Sequence, residues 1–199
     1  MYVEILDNFL APEVLKLVNR EVENVKWEKT FTRAGSHMLE HNDIVNCPMM
    51  STLYLHFSTP AFLHRLERKI GIKGIIPDPH MIGAGYSEIK DHGDLKPHID
   101  FNWNDTIKMH RVCTLIIYLN GGYTGGELQF DNRPPIIPMP NRAVMFEHHE
   151  TIRHMVSPVK GTRRALRYFY YASKLEPPSG YHRALYGMKD NRPIDVEGA

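Results

Sequence analysis

The chain has 199 residues and a formal net charge of +1, with 24 Lys and Arg against 23 Asp and Glu. A chain of this length is expected to form one domain whose core needs neither a metal nor a disulfide to hold it together. The balanced charge provides no field that would attract nucleic acid or an anionic membrane, so we expect neither as a partner. The two cysteines, Cys47 and Cys113, fit no zinc-binding spacing and predict no disulfide framework.

The N-terminal sequence predicts no targeting segment. Residues 1–7 lack the basic region, apolar run and small-residue cleavage site of a secretory signal. No later stretch approaches the roughly 18 uninterrupted apolar residues of a membrane-spanning helix. We therefore expect a cytoplasmic protein without a membrane span, and the sequence leaves its oligomeric state open.

The first elements are an opening strand and a helix. Residues 3–10 favour the strand, and Ala11-Pro12-Glu13 places a proline and an acid in the first turn of a helix that ends near Trp27. Apolar residues at helical spacing give this helix one apolar face: Val14, Leu15, Val18, Val22 and Val25.

A second helical region is predicted after a polar segment. Residues 28–46 have no clear period and favour a loop with at most one strand. Residues 49–70 have helical character but are interrupted at Ser58-Thr59-Pro60. Thr59 can cap the helix that follows, and Pro60 can occupy its first position. The region is therefore expected to form two consecutive helices.

The character of the sequence changes after Asp78-Pro79-His80. Short runs rich in Ile, Val, Tyr and Phe, separated by Gly, Pro, Asn and Asp, predict eight strands: 82–89, 96–101, 112–119, 126–130, 135–138, 143–147, 153–158 and 164–173. This pattern predicts a mainly β protein with flanking helices, a jelly roll or related sandwich with the N-terminal helices packed on one sheet. Within a single domain, 1–199, we expect an N-terminal helical support, a core and a C-terminal tail: 1–75, 76–173 and 174–199.

The segment His98-Ile99-Asp100 is a candidate metal site. With 12 histidines and roughly a 5% chance of Asp at any position, a His-x-Asp triplet arises by accident about half the time. In a strand, however, residues i and i+2 face the same way, so His98 and Asp100 project together. Two imidazoles and one carboxylate can bind one face of an iron(II) ion and leave its other positions open.

The second imidazole has to come from elsewhere in the chain. The possible donors are His110, His148, His149 and His154. His154 is favoured because it lies in a strand-like run, whereas His148 and His149 lie in a polar turn. The alternative interpretation is that His98 is a buried core histidine and Asp100 a turn residue.

Ordered motifs around the triplet resemble a known family. They are Lys-Pro-His98-Ile-Asp100-Phe-Asn, Arg111-Val-Cys-Thr-Leu-Ile-Ile-Tyr118-Leu-Asn, Gly125-Gly126-Glu127-Leu, Asn141-Arg-Ala-Val-Met-Phe146, His154-Met-Val-Ser-Pro-Val and Gly161-Thr-Arg163. Together they resemble the iron(II)/2-oxoglutarate dioxygenases of the prolyl 4-hydroxylase-like group. The resemblance covers about residues 76–173 and implies a double-stranded β-helix, a jelly roll whose mouth holds the metal.

The resemblance implies roles for the charged residues. His98, Asp100 and His154 are implied to be the iron ligands. Arg163 is implied to bind the distal carboxylate of 2-oxoglutarate, a task that suits a planar guanidinium. Arg164 is its competitor, but adjacent strand residues face opposite ways, and the nine-residue offset from His154 selects Arg163.

Two tyrosines are implied to complete the cosubstrate pocket. Tyr118 resembles the family's phenol that hydrogen-bonds the same carboxylate; the alternative is that it is a core aromatic in a central strand. Tyr86 is expected to line the pocket from the preceding strand. The cofactors implied are Fe(II), 2-oxoglutarate and O2, with ascorbate as a reductant.

The implied activity is hydroxylation of an unactivated C–H bond, with release of succinate and carbon dioxide. Two alternatives are a cupin-like metalloenzyme that does not use 2-oxoglutarate and a non-enzymatic jelly roll that binds a metal or ligand. Arg163 and Tyr118 disfavour the first alternative, which has no need of them. The complete set of three ligands disfavours the second.

The substrate is the least determined feature. The resemblance implies a peptidyl, prolyl-like or small polar substrate. Asn102, Trp103 and Arg111 are expected to contact it, although Arg111 also suits a pair with an acid such as Glu127. The other segments that could contact it are the loops 30–46 and 102–110 and the C-terminal tail, which include Phe31, Arg33 and Tyr181.

Overall fold

The structure is a computed structural model that describes residues 1–29 and 37–173, together with the backbone of three short pairs at 185–186, 188–189 and 192–193. Phe31, Arg33, Tyr181 and most of the predicted tail, 174–199, lie outside the described residues. None of the helices in the described ranges has the length and apolar character that crossing a membrane requires.

Three helices precede the main strands: α1 Pro12–Val22, α2 Pro48–Phe57 and α3 Pro60–Ile70. Each has proline at its start, where a missing N–H costs no hydrogen bond. The predicted cap is confirmed, because the Thr59 side chain accepts from the Phe62 N–H. Helix α1 ends before the predicted Trp27, because the Asn24 amide donates to the Arg20 carbonyl at 2.7 Å.

The strands follow the predicted order with finer divisions. They are β1 Val3–Leu6, β2 Glu28–Lys29, β3 Leu39–His41, β4 Ile75–Pro77, β5 Gly85–Ile89, β6 Leu95–Ile99, β7 Trp103–Asn104, β8 Met109–Tyr118, β9 Thr124–Gly125, β10 Leu128–Phe130, β11 Arg133–Ile136, β12 Ala143–Glu147, β13 His154–Val156, β14 Val159–Lys160, β15 Arg163–Ala172, β16 Leu185–Tyr186, β17 Met188–Lys189 and β18 Arg192–Pro193.

Two antiparallel sheets face each other. In the described part of the chain the larger sheet has the order β1-β12-β8-β15-β5-β3-β2, with β4 also paired to β15 and β7 to β8. The smaller sheet has the order β11-β10-β13-β6-β16. The predicted fold class, a mainly β double-stranded β-helix with flanking helices, is confirmed.

The larger sheet separates two apolar clusters. One cluster lies between this sheet and the helices and includes Val18, Met50, Leu115, Leu166 and Tyr170. The other lies between the two sheets and includes Ile116, Tyr118, Phe146, Ala165 and Leu128. Residues 115–118 of β8 and residues 165–166 of β15 alternate between the clusters, as a period of two requires. The prediction that the N-terminal helices pack on one sheet is confirmed.

Glu21 links the helices to the larger sheet. Its Oε1 accepts hydrogen bonds from the Tyr86 hydroxyl at 2.7 Å and from the Met50 N–H at 3.0 Å. Its Oε2 accepts from the Met49 N–H at 2.7 Å. Cys47, at the N-cap of α2, provides no side-chain cap. The carboxylate of α1 therefore satisfies the free N–H groups at the start of α2.

Replacing Glu21 should destabilise the fold. Glu21→Ala leaves two helix N–H groups and a buried tyrosine hydroxyl without their acceptor, so the free energy of unfolding should fall by roughly 2–3 kcal/mol in urea denaturation. Glu23, exposed at the end of the same helix, is the matched control, and Glu23→Ala should change it by less than about 0.5 kcal/mol. Equal effects of the two substitutions would contradict this role of Glu21.

Candidate metal centre

The structure brings the three predicted ligands together. His98 lies on β6 and pairs in register with His154 on β13, and Asp100 follows directly after β6. One donor atom from each residue lies within 4.8 Å of the other two. The Asp100 Oδ1 is 3.3 Å from the His98 Nε2 and 3.8 Å from the His154 Nε2. Two imidazoles and a carboxylate therefore face one point between the sheets.

A hydrogen bond to one ring nitrogen of His98 leaves the other, Nε2, available to bind a metal. Its Nδ1 lies 2.7 Å from the Lys96 carbonyl oxygen. Because a carbonyl only accepts hydrogen bonds, Nδ1 carries the proton and the lone pair belongs to Nε2. The Nε2 is also the atom that faces Asp100.

The protonation states also suit a metal. Burial lowers the pKa of His154 to about 4, so its imidazole is neutral at pH 7. Burial alone would raise the pKa of Asp100, but His154, His98 and Arg111 lower that pKa well below its ordinary value. A neutral imidazole and an ionised carboxylate are the forms that bind a divalent metal.

The other oxygen of Asp100 has separate neighbours. Its Oδ2 is 3.7 Å from the Arg111 Nη1 and 3.9 Å from the His148 Nε2. The Arg111 guanidinium lies between the rings of Phe101 and Phe169, at 3.5 and 3.6 Å from their centroids. Arg111 thus pairs with an acid, as the alternative interpretation expects, but the acid is Asp100 and not Glu127. Oδ1 therefore faces His98 and His154, while Oδ2 lies closer to Arg111 and His148.

His148 is a neighbour of the site that the sequence pattern does not predict. Its Nε2 lies 2.6 Å from the Thr114 hydroxyl, and its ring stacks on Phe146 with centroids 5.8 Å apart. Burial lowers its pKa to about 3. The polar residues around it suggest a turn. His148 nevertheless lies just past the end of β12, on the same inward face as Val144 and Phe146. Extending the strand alternation by two residues would have identified it.

Arg163 faces the same cavity as the three ligands. It is 3% exposed, and its guanidinium carbon lies 4.8 Å from the centre of the Tyr118 ring. Neither its Nε nor the Tyr118 hydroxyl has a hydrogen-bond partner within the described residues. Gly126, at φ +74°, gives Arg163 its space, since a Cβ there would lie 2.7 Å from the arginine Cδ. Buried donors without an acceptor fit an incoming carboxylate.

The strand alternation separates Arg163 from its competitor. Arg164 faces the outer side of the sheet, where its Nε donates to the Glu88 Oε2 at 2.8 Å. The predicted place of Tyr86 is wrong: its hydroxyl donates to Glu21 on the helix side of the sheet. Its neighbour Ser87 lines the cavity instead. Strand β5 therefore presents Ser87 to the cavity, and not the predicted Tyr86.

The three predicted substrate residues lie in different surroundings. Asn102 and Arg111 line a second cavity, of about 130 Å³, which also reaches Asp100 and His148. Trp103 is buried: its indole N–H donates to Asp105 at 3.0 Å, and its ring packs edge-on against His110. These two contacts join Trp103 to its own loop and to the start of β8.

Two further polar residues lie near the cavity, and the sequence predicts no role for either of them. Tyr123 has a buried hydroxyl with no hydrogen-bond partner in the described ranges, and burial raises its pKa to about 12. Arg167 lines the cavity two strand positions beyond Ala165. Both lie outside the quoted motifs, so their place depends on the fold.

The comparisons with known proteins agree with this geometry. A sequence model described as the 2OG-Fe(II) oxygenase superfamily matches residues 84–171. The match includes the three donor residues and Arg163, so this part of the chain is similar to the 2OG-Fe(II) oxygenases. A search of the curated proteins gives no significant match.

Solved prolyl hydroxylases share the fold at low sequence identity. One is a prolyl hydroxylase from Trichoplax adhaerens in complex with a hypoxia inducible factor oxygen degradation domain peptide fragment, at 20% identity and TM-score 0.65, covering 85% of this chain and 83% of that chain. Another is a Pseudomonas putida prolyl-4-hydroxylase, at 15% identity and TM-score 0.66, covering 86% of this chain and 92% of that chain. A third is the viral collagen prolyl hydroxylase of Paramecium Bursaria Chlorella virus-1 in a 2OG complex, at 19% identity and TM-score 0.59, covering 87% of this chain and 97% of that chain.

The buried histidines predict that the metal-free protein loses stability in acid. Histidine titrates near 6.5 in the unfolded chain, but burial lowers the pKa of His148 to about 3 and that of His154 to about 4. Below pH 6.5 the unfolded chain therefore binds more protons than the folded one, so stability falls as the pH drops.

His148→Gln removes one of these titrating groups while keeping a side chain that can hydrogen-bond Thr114. With a chelator present, the variant should lose on the order of 2–3 kcal/mol less unfolding free energy than the wild type between pH 6.5 and 4.5. Urea denaturation across this range measures the difference. Parallel curves for the two proteins would contradict a buried, neutral His148.

Proposed function

We propose that the protein is an Fe(II)- and 2-oxoglutarate-dependent hydroxylase. It would hydroxylate an unactivated C–H bond of a peptidyl, prolyl-like or small polar substrate and release succinate and carbon dioxide. One observation carries this proposal: the three donor residues and the buried Arg163 line one cavity between the two sheets. His98, Asp100 and His154 would hold the iron, and Arg163 with Tyr118 would bind the distal carboxylate of 2-oxoglutarate.

The residues of the chain have distinct tasks in this proposal. The bound metal and cosubstrate supply the oxidising chemistry. Arg163 offers a buried, permanently charged fork to a carboxylate, which fixes the orientation of the cosubstrate. Apolar side chains around the donor residues exclude water from the cavity: Ile116, Leu128, Phe146 and Val156. The Arg111 guanidinium, 3.7 Å from the second oxygen of Asp100, would attract this oxygen and so leave the first one for the metal.

The alternative functions are less well supported. A cupin-like metalloenzyme that does not use 2-oxoglutarate would have no use for the buried donors of Arg163 and Tyr118, which lack partners in the described residues. A binding protein without activity would not need three donor residues and an arginine in one cavity. A peptide substrate is supported by the peptide bound to the Trichoplax adhaerens enzyme.

Several finer points belong to the same proposal. Residues 76–173 would be the oxygenase core of a single domain, and the family match at 84–171 falls inside these bounds. Residues 1–75 would be its helical support and 174–199 its C-terminal tail. We also propose a cytoplasmic location and ascorbate as a reductant that keeps the iron active.

Binding and turnover of 2-oxoglutarate test the function. Under anaerobic conditions the protein loaded with Fe(II) should bind 2-oxoglutarate in calorimetry. On addition of air and ascorbate it should form succinate slowly even without substrate. Binding is the decisive measurement, because uncoupled turnover depends on how well the empty site reacts. Absence of 2-oxoglutarate binding to the Fe(II)-loaded protein would sink the proposal.

Two substitutions should separate the metal site from the cosubstrate site. His154→Ala removes one of three ligands, so Fe(II) affinity should fall at least 100-fold, which corresponds to about 2.7 kcal/mol. Arg163→Ala should leave Fe(II) affinity within about twofold and weaken 2-oxoglutarate binding by 10- to 100-fold, since a charge-assisted hydrogen bond contributes roughly 1.5–3 kcal/mol. Calorimetry with each ligand in turn measures both effects.

Matched controls are available near both residues. His149 is exposed in the loop that precedes β13, and His149→Ala should leave Fe(II) binding unchanged. Arg164→Ala should leave 2-oxoglutarate binding unchanged, because Arg164 faces the outer side of the sheet. In this variant Glu88 still has the Lys90 ammonium as a cationic partner at 3.2 Å. Unchanged iron affinity in the His154 variant, or equal losses in the Arg163 and Arg164 variants, would refute the corresponding assignment.

A further inference from the structure

A second arginine of β15 faces the cavity. Arg163, Ala165, Arg167 and Phe169 alternate along the strand and line the cavity between the sheets together with the donor residues. The Arg167 side chain is 14% exposed. A cation this deeply buried costs free energy unless an anion lies beside it.

Glu40 on β3 is the anion beside Arg167. The Arg167 Nη2 donates to the Glu40 Oε1, and the Glu40 side chain is 20% exposed. The strand register places Glu40 opposite Ser87, which lies opposite Ala165, so Glu40 and Arg167 share the inward face. The residue opposite Arg167 on β5 is Gly85, which presents no side chain over the guanidinium. Arg167 therefore borders the cavity, and Glu40 lies beside it.

This pair leaves hydrogen-bonding capacity unused. The Arg167 Nε is buried and has no hydrogen-bond partner among the residues that the structure describes. A guanidinium has five N–H donors in a planar fork and can bind a second carboxylate. On the outer face, by contrast, the Arg164 Nε is paired with Glu88. The two arginine–glutamate pairs of this sheet thus differ at Nε, which is paired in Arg164 and has no partner among the described residues in Arg167.

In the proposed function both carboxylates of 2-oxoglutarate already have partners, Arg163 at one end and the metal at the other. We infer that Arg167 binds a carboxylate of the primary substrate, and that Glu40 holds the guanidinium in place until the substrate arrives. The substrate class is then small carboxylic acids, free amino acids included. This inference rests on the proposed function and narrows its substrate.

Acetate and acetamide are a matched pair of probes for this site, because they have nearly the same shape and differ in charge. The protein is loaded with Mn(II), whose unpaired electrons accelerate the relaxation of nearby protons, and with saturating 2-oxoglutarate to occupy Arg163. The methyl protons of acetate should relax faster in a saturable manner, whereas those of acetamide should not. The 2-oxoglutarate affinity is measured separately in the same samples by calorimetry.

Variants on the two faces of the sheet identify the group responsible. Arg167→Gln should weaken acetate binding at least tenfold and leave 2-oxoglutarate affinity within about twofold. Glu40→Gln should strengthen acetate binding, because the guanidinium loses its competing carboxylate. Arg164→Gln, the control on the outer face, should change neither. If Arg167→Gln does not fold, Arg167→Lys keeps the charge without the fork and should retain only part of the acetate affinity.

The outcomes separate this inference from the function on which it rests. Equal acetate relaxation in the wild type and Arg167→Gln, or none in the wild type, would overturn the carboxylate site while 2-oxoglutarate binding remained. A loss of 2-oxoglutarate instead of acetate in Arg167→Gln would assign the guanidinium to the cosubstrate and also overturn it. Acetate relaxation that depends on Arg167 without any 2-oxoglutarate binding would keep the carboxylate site and remove the proposed cosubstrate.

Discussion

The antiparallel pairing of β6 with β13 is the constraint on which the site depends. It sets His154 opposite His98 on neighbouring strands, and Asp100 follows at the next position of the same face. A shift of one residue in either strand would turn its donor to the other side of the sheet. Strand β10 fixes the register from the far side, because Phe130 pairs with His154 and is buried between the sheets. The packed interior thereby holds the geometry of the donor atoms.

The larger sheet carries different chemistry on its two faces. Outward residues of β15, such as Tyr168 and Tyr170, complete the apolar core beneath the helices. Inward residues include Arg163 and Arg167, and of these two only Arg167 has an ion pair, with Glu40, among the described residues. Burying two guanidinium groups opposes folding unless carboxylates compensate them. An interior arranged in this way favours binding of carboxylic acids, which is the chemistry that the proposed cosubstrate and substrate share.

Much of the site follows from local sequence because strand alternation is local. It predicts that His98 and Asp100 project together and that Arg163 and Arg164 diverge, and the structure has both arrangements. Alternation gives only relative directions, however. It does not say which face of β5 meets the helices, so Tyr86 lies opposite to its predicted place. It reaches His148 only if the strand is extended past Glu147, and the polar composition there suggests a turn instead.

The sequence by itself determines the resemblance to a family, the order of the main helices and strands, and the residue types that a metal and a carboxylate need, because these depend on motifs and on spacing along the chain. Only the tertiary structure decides that His148 reaches Asp100, that Gly126 makes room for Arg163, and that Glu40 meets Arg167 across β5. Each of these contacts joins residues far apart in the chain. Their proximity depends on strand pairing and on which face of a sheet is buried, and no local pattern encodes either.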